Sequence, residues 1–83
     1  MTRRSSLDVL DEALVKHVHE HQPTTYRECA VAVGLDLSTV HGRIGALVRR
    51  GLLEAEPHRS RTIRLHPSVV VHEDRVYQLE KMP

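Results

Sequence analysis

Phenylalanine and tryptophan are absent from the 83 residues, and only Tyr26 and Tyr77 are aromatic. The core is therefore expected to be aliphatic, built from Val, Leu, Ile and Ala. One small domain is expected, with a modest core and a net stability of only a few kcal/mol. The single cysteine, Cys29, excludes an internal disulfide, which suits a reducing compartment. Cys29 falls on an apolar helix stripe, where a buried, inert thiol is expected ahead of a redox sensor. No run approaches the ~20 apolar residues of a membrane span. MTRRSS leads into an acidic, amphipathic stretch and not into an apolar signal core. A soluble, cytoplasmic protein without membrane attachment is expected.

Catalytic equipment is also lacking. No nucleophile–base pair, paired carboxylates or phosphate-cradling glycine loop stands out, so no enzyme and no cofactor are expected. Histidine is the nearest exception. His17, His19 and His21 cluster in one helical stretch, and His17 and His21, one turn apart, have the spacing to share a metal. A site needs three or four ligands, and no second pair stands at matching spacing. A solvated histidine face, able to make the protein's behaviour pH-dependent between about pH 5 and 7, is expected, and no metal centre.

What is present centres on residues 25–51, TYRECAVAVGLDLSTVHGRIGALVRRG. Thr25 with Glu28 three residues on has capping-box spacing, which predicts a helix over 26–33. Its apolar face is Cys29, Ala30 and Val33, and Gly34 closes it. Ser38 is the expected N-cap of a second helix over about 39–50. Val40, Ile44 and Leu47 form its buried stripe, and Gly51 follows Arg49 and Arg50 at its end. Two short helices joined by a tight turn make a helix-turn-helix, which offers its second helix to a major groove.

The remaining chain reads as support for this pair. Residues 1–6 are expected to be a flexible basic arm, whose Arg3 and Arg4 are within reach of a phosphate or minor groove. A first helix is expected from Leu7 to Glu20, capped by Ser6. Its stripe is Leu7, Leu10, Leu14 and Val18, widened by Ala13, and Pro23 ends the segment. After Gly51 the period changes. Residues 52–56 and 61–65 read as strands about a turn at Pro57–Ser60, a β-hairpin with a basic tip. Directly behind a recognition helix, such a hairpin is a wing. Beyond Pro67, residues 69–71 and 75–79 read as two more strands with a turn at His72–Asp74. The three consecutive valines favour strand over a helix from Ser68 to Met82. Apolar side chains at 70 and 76–79 are available for self-association. The fold class is thus α+β: three helices, a β-hairpin wing and an extra C-terminal hairpin. Residues 1–6 form the arm, 7–66 the winged helix-turn-helix and 67–83 the extension.

Residues 25–66 resemble the winged helix-turn-helix of bacterial transcriptional regulators. STVHGRIGALVRRGLLE is similar to MarR-like and Lrp-like regulators in its Ser-Thr-Val start, apolar stripe and Arg-Gly-Leu-Leu ending. SRTIRL after a basic turn, and the preceding first helix, resemble the N-terminal DNA-binding domain of LexA-type repressors. The second domain of LexA-type repressors, with its serine–lysine site, has no counterpart in these residues. The long flanking helices of MarR-like proteins have none either.

Charge agrees with a nucleic-acid partner in its distribution more than in its total of +1. Residues 23–66 hold seven basic and four acidic side chains, a net of +3, whereas the flanking segments are each net −1. The expected function is a small DNA-binding regulator acting on double-stranded DNA; specificity would need a homodimer on a two-fold site. Candidate contacts on the second helix are Ser38, Thr39, His41, Gly42, Arg43 and Ala46, with Arg43 expected to face outward and to read guanine. Thr25 and Arg27 join them from the preceding helix, and Arg59, Ser60, Arg61 and Arg64 from the wing. Gly42 and Gly45 each cost a helix up to ~1 kcal/mol relative to Ala. Close approach to a duplex, close approach to a protein partner, or plain tolerance of glycine would each account for them. The alternative function is a protein-interaction module, a co-regulator, antirepressor or assembly factor, on the same scaffold.

Overall fold

The computed structural model describes residues 2–4, 7–56 and 62–79. Its elements run β1 (Thr2–Arg4), α1 (Val9–His21), β2 (Thr24–Thr25), α2 (Tyr26–Val33), α3 (Leu37–Arg49), β3 (Leu53–Ala55), β4 (Thr62–Leu65), β5 (Val69–His72) and β6 (Arg75–Leu79).

Each helix starts at a side-chain acceptor that meets otherwise unpaired amides. α2 does so with the expected capping box: the Glu28 amide donates to Thr25 Oγ1 at 3.1 Å, and the Thr25 amide donates to Glu28 Oε1 at 3.1 Å. Its end at Gly34 is also as expected, with φ at +70°, where a side chain would be strained. The other two caps differ from expectation. α1 is capped by Asp8 and not Ser6, the Asp11 amide donating to Asp8 Oδ1 at 2.8 Å. α3 starts at Leu37 under Asp36, which moves Ser38 into the first turn. Both corrections replace a serine with an aspartate two residues away. A carboxylate accepts from several donors at once and suits the positive end of a helix, so it prevails where both are offered.

The core is aliphatic throughout. α1 contributes Leu14, Val15 and Val18, α2 contributes Cys29 and Ala30, and α3 contributes Val40, Ile44 and Leu47. Leu52, Leu53, Ile63, Val69 and Val76 complete it from the strands. On α1 it is Val15 that widens the stripe; Ala13 is exposed.

Two three-stranded antiparallel sheets flank the helices. The first, in order β2-β4-β3, contains the expected wing, with Leu53 opposite Leu65 and Ala55 opposite Ile63. The expected tip, Pro57–Ser60, lies outside the described residues. The short β2, pairing Thr24 with Ile63, ties the start of α2 to the wing. The second sheet, in order β1-β6-β5, holds the expected C-terminal hairpin. Its turn at Glu73 and Asp74 has φ of +48° and +65°, the mirror-image turn that matches strand twist. Residues 2–4, expected within a free arm, instead pair with β6, Thr2 opposite Leu79 and Arg4 opposite Tyr77. Their unpaired amides and carbonyls thereby gain partners on an otherwise open strand edge.

This second sheet packs on the helix-turn-helix. Val69 and Val76 enter the common core. Gln78 Nε2 donates to Arg50 O at 3.2 Å, and Ser68 Oγ donates to Gly51 O at 3.4 Å. Those carbonyls follow the end of α3, where backbone acceptors lack helical partners. The extension therefore also secures the C-terminal end of α3. Val70 and Leu79 remain about two-fifths exposed, in keeping with the surplus apolar surface expected there.

Candidate nucleic-acid interface

α2 and α3 meet at a 109° bend, within the range of helix-turn-helix units. At about 100° per residue, the buried stripe of α3 puts Gly42 and Arg49 on the opposite side. Ser38, Thr39, His41, Gly42 and Arg49 are all exposed. An added Cβ at Gly42 would meet nothing within 4 Å, so the backbone itself is approachable there. At Gly45 a Cβ would lie 3.5 Å from Arg49 Nη1, which folds back along the helix.

Arg43 is the principal correction at this site. About 60° from Val40 around the helix, it lies on the flank of the buried stripe and not on the outward face. Its Nη1 donates to Asp8 Oδ2 at 3.2 Å and Asp11 Oδ1 at 3.3 Å. The two carboxylates hold the guanidinium's pKa above its ordinary value, Asp11 ahead of Asp8. In return Asp8 is held below the usual carboxylate range, first by the Asp11 amide and then by Arg43. Arg43 thus joins α3 to the first turn of α1. Ala46 is half-buried.

The leading end of α3 is built around Asp36. The Ser38 and Thr39 hydroxyls and the Thr39 amide all donate to its carboxylate. Those bonds, the Ser38 hydroxyl's first, pull its pKa down to about 2. Because a carboxylate only accepts, each hydroxyl spends its single proton on Asp36 and offers a ligand its lone pairs. This end suits a donor group better than a phosphate.

His41 stacks on Tyr26, ring centroids 4.0 Å apart and planes 9° from parallel. Tyr26 was not among the expected contacts. Its signal in the sequence is weak: one of two aromatic residues, placed directly after a helix cap.

The remaining candidates divide. Thr25 Oγ1 is occupied in the capping box, donating to Glu28 Oε1 at 3.0 Å. Arg27 is exposed on α2. Arg64 is exposed on β4 directly opposite Glu54, so its charge is partly matched across the strands. Arg59, Ser60 and Arg61 lie outside the described residues.

The histidine stretch is partly structural. His17 Nε2 shares a hydrogen bond with Thr24 Oγ1 at 3.2 Å, and its ring centroid is 4.7 Å from that of His21. Burial, then the neighbouring His21, lowers the pKa of His17. His19 and His21 are exposed. Among the described residues, no three His, Cys, Asp or Glu side chains group as metal ligands. Burial pushes the Cys29 thiol up to about 11, which keeps it protonated and unreactive. No single helix among the described residues is long and apolar enough to cross a membrane.

Three helices followed by an antiparallel wing, with the outer face of the third helix open, define a winged helix-turn-helix. The chain belongs to the HVO_A0114 family, whose model matches residues 10–74. It is also similar to the LexA repressor of Limosilactobacillus reuteri (strain DSM 20016), 43% identical over 54 residues, which are 63% of this chain and 26% of that protein. The LexA repressor of Limosilactobacillus fermentum is 42% identical over 55 residues, 64% of this chain and 26% of its own. That of Oenococcus oeni is 38% identical over 66 residues, 78% of this chain and 31% of its own. The chain thus spans between a quarter and a third of the length of these relatives. No solved structure gives a significant match.

Proposed function

We propose that this chain is a DNA-binding module of a transcriptional regulator, with α3 entering the major groove and the wing resting on the flanking backbone. The observation that carries this is the outer face of α3, small, polar and open at Gly42, on a winged helix-turn-helix. Similarity to proteins named LexA repressors supports it. Thr39, His41 and Gly42 are assigned to base edges, with Ser38 beside them. Arg27, Arg49, Arg64 and the wing candidates Arg59, Ser60 and Arg61 are assigned to phosphates. Arg43 passes from base reader to interhelical tie. A dimer on a two-fold site would supply the specificity that so sparse a face lacks alone.

Titration of duplex DNA at several salt concentrations tests the reading. For about four phosphates contacted, affinity falls by roughly 100-fold between ~50 and ~200 mM salt. No binding at ~50 mM salt by the folded protein would end the proposal.

One observation favours a second reading, a protein-interaction module: the exposed Val70 and Leu79 of the second sheet, on a chain of net charge +1. Capture of one defined protein partner, surviving nuclease and lost with Val70→Glu, would support it.

A further inference from the structure

We propose that Tyr26 is a positioning residue for recognition: it acts through His41, holding the imidazole in one orientation as a base-edge contact. The inference rests on the DNA-binding reading above and adds a residue and a means to it.

His41 is exposed on α3 and next to Gly42, where the backbone is open. An exposed histidine ordinarily samples several rotamers, and fixing such a side chain on binding costs free energy. Here the ring already lies flat on Tyr26, at 4.0 Å and 9°. The two imidazole nitrogens lie in the ring plane, so the stack fixes the direction of an in-plane N–H and lone pair. Tyr26 is itself held. It is half-buried against the core and is the first residue of α2, directly after the N-cap Thr25 and inside the capping box. The chain of support therefore runs from core to Tyr26 to His41 to ligand. The contrast with Arg43 makes the assignment specific. The long basic side chain of this helix's first two turns is turned toward α1, which leaves His41 as the ring-bearing donor on the open side.

The test begins by selecting a preferred site from random duplexes with the wild-type protein. The ratio of its affinity to that for a scrambled duplex is then measured for Tyr26→Leu, Tyr26→Phe, His41→Ala and the Tyr26→Leu/His41→Ala double variant. Tyr26→Leu and His41→Ala should each lower the ratio about 5- to 10-fold, the scale of one base contact, and leave scrambled-duplex affinity and salt dependence nearly unchanged. Tyr26→Phe should keep the ratio, since it keeps the flat face. The double variant should be no worse than His41→Ala alone, because Tyr26 acts through His41. Additive losses, a normal ratio in Tyr26→Leu, or failure of Tyr26→Phe to rescue would each overturn the proposal.

A second measurement needs no variant. The His41 ring protons of the wild-type protein should be shifted upfield by the tyrosine ring and stay so on the selected duplex. Loss of that shift on binding would overturn the assignment. Duplex binding without any preference would overturn it too and leave the DNA-binding reading standing. The absence of all duplex binding would remove both.

Discussion

On its inner side α3 carries Val40, Ile44 and Leu47, each at most 1% exposed; on its outer side it carries Ser38, His41, Gly42 and Arg49, all open to solvent. The inner side is filled as a core should be, joining one cluster with aliphatic side chains from the other two helices and both sheets. The outer side gives up helix stability: glycine at 42 exposes backbone and adds unfolded-state entropy where alanine would fit. A face that nothing used would be expected to carry ordinary helix formers. On the DNA-binding reading proposed above, one side of α3 is composed for folding and the other for close approach by a duplex.

Two substitutions put that contrast at risk, and the larger effect is on the inside. Ile44→Ala should cost about 3 kcal/mol of unfolding free energy, from lost burial and the cavity left behind. Urea denaturation followed by circular dichroism measures it. A cost below ~1 kcal/mol would mean that the inner face is not the close-packed centre of the domain. Gly42→Ala should act in the opposite sense. Its Cβ meets nothing within 4 Å, so stability should rise by up to ~1 kcal/mol. Duplex affinity should nevertheless fall several-fold, because the methyl group stands where the backbone would be approached. A variant that is stabler and binds as well would break the functional half of the comparison.

The inner face was legible in the sequence because periodicity and packing are the same statement there. So were α2 and its limits, since the Thr25–Glu28 box and Gly34 act within a few residues of one another. The wing and the C-terminal hairpin followed from alternation and turn residues. Illegible features depended on distant partners. The pairing of Thr2–Arg4 with β6 joins opposite ends of the chain, and nothing local announces it. Thr24 and Thr25 become a strand only because β4 lies beside them. Arg43 was placed on the outward face, although helical geometry puts it on the flank of the stripe. The two aspartates that receive it lie more than 30 residues away. The Tyr26–His41 stack likewise joins two helices and has no sequence pattern of its own.

The helix starts separate in a similar way, and the smallest expected effect follows from them. α2 begins on a threonine hydroxyl, whereas α1 and α3 begin on carboxylates whose pKa values are lowered by the donors they receive. For Asp36 the folded value is about 2 against an ordinary 3.8. A folded pKa below the unfolded one means that the unfolded chain takes up the proton first as pH falls. The stabilisation is therefore fully present above about pH 4, and it drains away as pH drops through 3.8 toward 2. Asp36→Asn keeps an oxygen that can accept from the Thr39 amide but has no proton to gain. Its stability should thus decline less than that of the wild type across this window, and the two curves should converge at the acid end. Equilibrium unfolding at half-unit pH steps reads the effect. Parallel curves would mean that the Ser38 and Thr39 hydroxyls do not hold the carboxylate in solution, and the acceptor-only character assigned to the leading end of α3 would fall with it.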